Sequence, residues 1–262
     1  MAAFQHDPAK MARYIRGEVA TVYLGKRVTP GYSPRIHYSP HILPVLPGEM
    51  MQWWDSWQHP CCITAQYAPT GQLIFHDVLY GEGIGVEELI EEQLEPLLST
   101  PKYKGKIKKW RAGGDCTMRT PDQSSVNSVT SRKIEDIFNC RFEPGPAHWR
   151  TIREPLNRCF KRLLNAGIPA VYLSRSAVRL HRALRGGWHY KTDNNGRVIG
   201  DNPKPVKDDQ HNHPGDAFAN AISVLMPYDS RMKRPKKPDN KKKIYPGGYG
   251  GGAFARPARN VA

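Results

Sequence analysis

The sequence predicts an α/β protein layered on a mixed sheet, and three observations carry that reading. Three strand-like segments crowd into residues 52–80, separated only by short, turn-like spacers. After Gly85 the apolar period changes from two to about 3.6. Helical and strand-like segments then alternate as far as Leu225, which suits a layered α/β fold and not a sandwich or a bundle.

The elements follow in order. Residues 1–49 hold Pro30, Pro34, Pro40, Pro44 and Pro47, spaced too closely for a helix, so this part reads as an irregular lead-in with one candidate strand at Val19–Leu24. Gln52–Ser56 is the first strand of the main domain, which is expected to span residues 50–226. Cys61–Tyr67 is the second strand, Ala68-Pro69-Thr70-Gly71 has turn chemistry, and Gln72–Tyr80 returns as the third strand of an antiparallel meander. Val86, Leu89, Ile90, Leu94, Leu97 and Leu98 then recur at helical spacing. Lys106–Trp110 predicts a short fourth strand, closing at Ala112-Gly113-Gly114-Asp115, and Thr117–Ser131 reads as a polar stretch. A second helix is expected over Trp149–Leu164, with Ile152, Leu156, Phe160, Leu163 and Leu164 as its apolar stripe and Gly167 as its stop. Pro169–Leu173 is the fifth strand and Ser176–Leu184 the third helix. A polar excursion from Asp193 to Gln210 leads to Pro214-Gly215-Asp216, which opens the last helix. No internal repeat is visible.

Charge is concentrated at one end. The 262 residues carry a formal +15, and residues 227–262 alone hold ten Lys and Arg against Asp229 and Asp239, a net +8. Lys233, Arg234, Lys236, Lys237, Lys241, Lys242 and Lys243, followed by a glycine-rich run, have nothing to bury. This tail reads as a disordered basic arm that binds a polyanion together with the basic body; a plain solubility tail is the alternative. No apolar run approaches the ~20 residues of a membrane span, which excludes a membrane-spanning class. The N-terminal residues lack a secretory core. Five unevenly spaced cysteines argue against a disulfide framework.

Three acids are expected to meet. Asp55 ends the first strand beside Trp54, Asp115 follows Gly113-Gly114 at the end of the fourth strand, and Asp216 lies in the first turn of the last helix. If strands one and four are neighbours and the last helix crosses them, three carboxylates converge at one end of the sheet. Such carboxylates repel unless a cation neutralises them, and hard oxygen donors suit Mg²⁺ or Mn²⁺ better than zinc. Each acid taken alone has a plainer role: Asp216 complementing the helix dipole, Asp115 making a turn.

Trp53-Trp54-Asp55-Ser56-Trp57-Gln58-His59-Pro60, the Thr70-Gly71-Gln72 turn, Gly83-Ile84-Gly85-Val86, Gly114-Asp115 and His213-Pro214-Gly215-Asp216-Ala217 form an ordered set. Over roughly residues 13–226 that set resembles the nuclease domain of large terminase subunits, the DNA-packaging motors of tailed bacteriophages. The resemblance implies a ribonuclease H-like mixed sheet of about five strands, three antiparallel and then two parallel, flanked by helices. It also implies an endonuclease that cuts concatemeric viral DNA during packaging, with two Mg²⁺ or Mn²⁺ ions held by Asp55, Asp115 and Asp216. Asp55 would bridge both ions, and Asp209, with Asp208, would be a supporting ligand. Double-stranded DNA is the implied substrate. The portal protein, the small terminase subunit and an ATPase domain in cis or in trans are the implied partners. The implied location is the cytoplasm of an infected bacterium, transiently at the procapsid portal. The chain departs from the family pattern at Ser56-Trp57, where a Gly usually stands, and at Cys116, where a Pro often does.

The motor half of that family has no counterpart here. Gly25-Lys26 is followed by Arg27 and Gly105-Lys106 by Ile107, so no phosphate-cradling loop is present and no ATPase activity is expected. Gly81-Glu82-Gly83-Ile84-Gly85 is an incomplete dinucleotide pattern following antiparallel strands. His211-Asn212-His213 has no Cys-x-x-Cys to join in a zinc site, and Cys61-Cys62 would point to opposite faces of a strand; His213 is read as an outer contact of the acidic site or of phosphate. The tryptophans are read mostly as core. Two other classes stay open: a non-catalytic DNA-binding or docking module, and a junction resolvase or hybrid-specific ribonuclease of the same fold.

Overall fold

Six consecutive residues of one strand, Met50 to Asp55, are buried, as a central strand covered on both faces requires. In the computed structural model, which describes residues 25–56, 59–121, 129–207 and 210–227, this strand is β1 (Gly48–Asp55). β2 (Cys61–Tyr67) and β3 (Leu73–Tyr80) continue it as the expected antiparallel meander. β4 (Ile107–Gly114) pairs parallel with β1 on the other side, and β5 (Phe142–Pro144) pairs parallel with β4. β6 (Val171–Leu173) lies parallel to β3 at the opposite edge. The sheet order is therefore β5-β4-β1-β2-β3-β6. The fold is mixed α/β, a six-stranded mixed sheet flanked by helices.

The period of two along β1 divides the core. Met51 and Trp53 enter the larger apolar cluster, together with Phe218 and its neighbours. Trp54 joins Leu89, Ile134 and Phe142 on the other face. Asp55 is in phase with Met51 and Trp53, so its carboxyl belongs to the face covered by the last helix. Gly113 makes room for that face: a Cβ there would stand 2.3 Å from the Trp53 ring.

The helices pack on both sides. α1 runs through Val86–Leu89, a π turn at Ile90–Leu94 and Glu95–Ser99. The wide turn comes where Pro96 has no N–H to give to the preceding turn. α2 is Thr130–Phe138, α3 is Trp149–Cys159, and α4 is Val178–Arg182, continued by a π turn at Ala183–Gly187. α5 (Asn212–Leu225) is buried along nearly its whole length and packs on α3, β1 and β2. Ala217, Ala219 and Ala221 let it lie close to its neighbours.

Several expectations are corrected. The stretch Thr117–Ser131 is not all loop: a 3₁₀ turn occupies Cys116–Arg119, and α2 begins at Thr130. α2 was hidden because only Ile134 and Phe138 are buried apolar anchors in a polar nine-residue segment. β5 went unseen because three residues ending in Pro144 carry no period; pairing with β4 makes it a strand. Strand four runs on through Gly113-Gly114, where pairing with β1 overrides the weak strand preference of glycine. The second helix stops at Cys159 rather than Leu164, because Leu164 turns back to donate its N–H to the Ile168 carbonyl. Within the lead-in, Val28 and Tyr32 belong to the main core. Lys26–Arg27 pairs with His189–Tyr190 as a small separate ribbon. The candidate strand at Val19–Leu24 lies outside the described residues.

Candidate active site

The last residue of β1 places Asp55 at the C-terminal end of this central strand, only 8% exposed. One strand over, Asp115 follows β4, and its N–H donates to the Trp54 carbonyl at 3.1 Å, tying the two chain ends together. The Asp115 Oδ1 atom accepts from the Thr117 N–H (2.7 Å) and the Thr117 hydroxyl (2.6 Å), capping the 3₁₀ turn. That is the turn-making role expected of such a residue, and it occupies one of the two oxygens.

α5 delivers the remaining groups. His213 and Asp216 lie three residues apart and so share a helix face. His213 Nδ1 donates to Asp55 Oδ2 at 2.7 Å in a buried contact. Asp216 Oδ2 is paired with the Lys207 ammonium. Gly215 allows this turn to seat against Trp188, since a Cβ there would be 2.4 Å from the indole. The helix start and the tryptophan thus set where His213 and Asp216 stand.

The electrostatics of the cluster are strained in one direction. Burial raises the Asp216 carboxyl to about 6, and the charge of Asp55 adds to that rise, while Lys207 and His213 pull it back. For Lys207, burial pulls the pKa down, but the charges of Asp216, Asp55 and Asp115 outweigh it and leave the ammonium more basic than usual. Lys207 thus pairs with Asp216 and feels the charges of Asp55 and Asp115 as well, while Asp55 is joined to α5 through His213 and Asp115 to β1 through the Trp54 carbonyl. Burial also pushes the Cys61 thiol well up, with Cys62 and Asp55 reinforcing it, so this cysteine is an uncharged core group.

Among the described residues, no three His, Cys, Asp or Glu side chains are gathered closely enough to hold a metal ion by themselves. The chemistry of the donors nevertheless fits a hard divalent cation. The candidate donors are carboxylate oxygens, burial and then the charge of Asp55 raise Asp216, and a lysine ammonium is paired with it. Of the other expected residues, Asp209, with Asp208, lies outside the described residues, as do Lys233, Arg234, Lys236, Lys237, Lys241, Lys242 and Lys243. Cys61 and Cys62 sit in different apolar clusters on opposite faces of the sheet.

Sequence reasoning missed four neighbours of the site. Lys207 was one lysine in a polar excursion. Tyr80, at the end of β3, pairs with Cys61, the residue that faces Asp55 across β1 and β2. His59 stacks on Tyr80 with ring centres 6.1 Å apart and meets His213 edge-on at 6.0 Å. The Arg179 guanidinium lies 4.7 Å from the centre of the Tyr80 ring. These contacts link α4, β3 and α5, so no local sequence signal could have shown them.

No family model matches the sequence, and none of the curated proteins does. Solved structures do match. The large terminase of a thermophilic bacteriophage, in complex with ADP, superposes with a TM-score of 0.54 at 11% identity, over 78% of this chain and 46% of that one. Another crystal form of the same protein gives 0.54 at 12% identity, over 82% and 49%. The chain thus spans about half the length of these terminases. The nuclease domain of the P22 large terminase aligns over 77% of this chain and 94% of its own, with 11% identity and a TM-score of 0.49, too loose to assign a fold by itself. The domain shares its fold with about half of a large terminase.

Proposed function

We propose that this chain is the nuclease part of a large terminase, a DNA endonuclease dependent on Mg²⁺ or Mn²⁺ that cuts concatemeric viral DNA during packaging. The observation that supports this most is the contact of His213 with Asp55, three residues from the Lys207–Asp216 pair on α5, at the end of the sheet where Asp115 follows β4. Those three carboxylates are the groups that would hold the metal, two ions in the fullest form of the reading, with Asp55 shared between them. A divalent cation bound there supplies Lewis-acid polarisation of the phosphate and a water acidified for attack.

The chain's own residues prepare the site. His213 Nδ1 holds one oxygen of Asp55, which fixes the orientation of a carboxylate that burial would otherwise make costly. Thr117 orients Asp115 through Oδ1. Arg179, seated on Tyr80, adds positive charge for a phosphate backbone at the same end of the sheet. Contacts to phosphate favour position over sequence, so cutting is expected to be largely indifferent to sequence and to weaken as salt rises. Double-stranded DNA is the proposed substrate, with the basic residues 227–262 adding affinity. The motor would be an ATPase domain in cis or in trans. The portal and the small terminase subunit are the proposed partners, and the host cytoplasm, at the procapsid portal, is the proposed place of action.

The test is nicking of supercoiled plasmid with Mn²⁺ and with EDTA. Wild type is expected to nick only with the metal, without ATP, and a folded Asp55→Asn variant is expected to be inactive. Full cleavage by that variant would sink the assignment. Preference for a four-way junction or an RNA–DNA hybrid over the plasmid would move the protein to another function of the same fold.

A further inference from the structure

We propose that Lys207 is a resident counter-ion of the acid cluster, paired with Asp216 when no metal is bound and displaced when a divalent cation binds. This rests on the reading of those acids as metal ligands.

The root of this side chain is pinned and the side chain is largely exposed. Pro205 bridges to Tyr190, and the Val206 N–H donates to the His189 carbonyl at 2.8 Å, so the backbone just before Lys207 is anchored to the ribbon strand His189–Tyr190. The side chain itself is 65% exposed, whereas that of Asp216 is 15% exposed. An exposed side chain thus reaches the largely buried carboxyl of Asp216. A compact charge on a flexible four-carbon stem suits a reversible seat of this kind, which the planar fork of arginine does not match as well.

The other cationic groups near the cluster are engaged differently. His213 holds Asp55 through Nδ1, and Arg179 lies against the Tyr80 ring. Lys207 is the residue whose ammonium the structure pairs with Asp216. Asp216, largely buried in the first turns of α5, needs positive charge beside it to remain ionised. A lysine that supplies it lets the site fold in its final geometry before any metal arrives. The consequence is competition, because a metal must replace the ammonium to use the same oxygens.

The experiment titrates Mn²⁺ into the full chain without DNA, following the paramagnetic resonance of the free ion. Wild type, Lys207→Met, Lys207→Arg and Asp55→Asn are compared, and thermal unfolding is recorded in EDTA and in Mn²⁺. Lys207→Met is expected to bind Mn²⁺ about three- to tenfold more tightly than wild type, the scale of one partly screened charge. It is also expected to unfold at a lower temperature in EDTA, with the deficit closed by Mn²⁺, and Lys207→Arg should fall nearer to wild type in both. Unchanged or weaker binding by Lys207→Met, with wild type still binding Mn²⁺ through Asp55, would overturn the role of Lys207 alone. Binding by neither wild type nor Lys207→Met, or binding that Asp55→Asn leaves intact, would overturn the metal site itself and the displacement with it.

Discussion

Replacing Asp216 by asparagine should stabilise the metal-free protein while abolishing cleavage. The Asp216 carboxyl is raised from 3.8 to about 6 because burial and Asp55 oppose its charge more than Lys207 and His213 favour it. At ~1.4 kcal/mol per pH unit, holding it ionised costs the folded protein about 3 kcal/mol at pH 7.5. An acid whose pKa rises on folding adds stability that is fully present below 3.8 and is lost as the pH climbs through about 6. Asparagine carries no charge to oppose, although its buried amide returns part of the gain, so a net of about 2 kcal/mol, or ~4–8 °C in Tm, is expected at pH 7.5 in EDTA. Near pH 3.5 the difference should vanish. The assay is thermal unfolding of wild type and Asp216→Asn across this pH range in EDTA, alongside plasmid nicking in Mn²⁺. A variant that unfolds at a lower temperature than wild type by the same margin at both pH values would refute the reasoning, because Asp216 would then be a structural partner and not a strained functional acid.

Three further outcomes are expected. Burial, helped by Lys102, holds His76 neutral with a pKa lowered to about 4, so the stability it contributes is complete above 6.5 and is lost as pH falls through about 4. His76→Gln should flatten that acid limb of the stability curve, and an unchanged slope would exclude His76 as its source. Gly215→Ala should cost about 1–3 kcal/mol by pressing a methyl into the Trp188 indole, and should also lower cleavage because the same turn carries His213 and Asp216; unaltered Tm and nicking would show that α5 shifts freely. Deleting residues 227–262 should leave Tm nearly unchanged but weaken DNA binding and flatten its salt dependence, by about 0.9 in the logarithmic slope for each phosphate no longer neutralised. A large fall in Tm would instead mark those residues as packed structure.

What could be read from the sequence was the part whose signal is local. The β1–β3 meander showed because each strand carries its own run of apolar residues and the spacers have turn chemistry. α1 and α5 showed because their apolar residues recur along one segment, and Pro214-Gly215 marks the start of the latter. The acids could be named because Asp55, Asp115 and Asp216 each end or begin such an element. Tertiary pairing decided the rest. β5 is a strand only because β4 lies beside it, and Gly113-Gly114 is strand only because β1 does. β6, though foreseen as a strand, takes the far edge of the sheet next to β3, a choice that no residue of Val171–Leu173 announces. His213 meets Asp55 across 158 positions of chain, and Lys207 reaches Asp216 from a polar loop with no period at all. Charge interacts through space and not along the chain, so the raised carboxyl of Asp216 and the ammonium that answers it exist only once β1, β4 and α5 have brought their ends together.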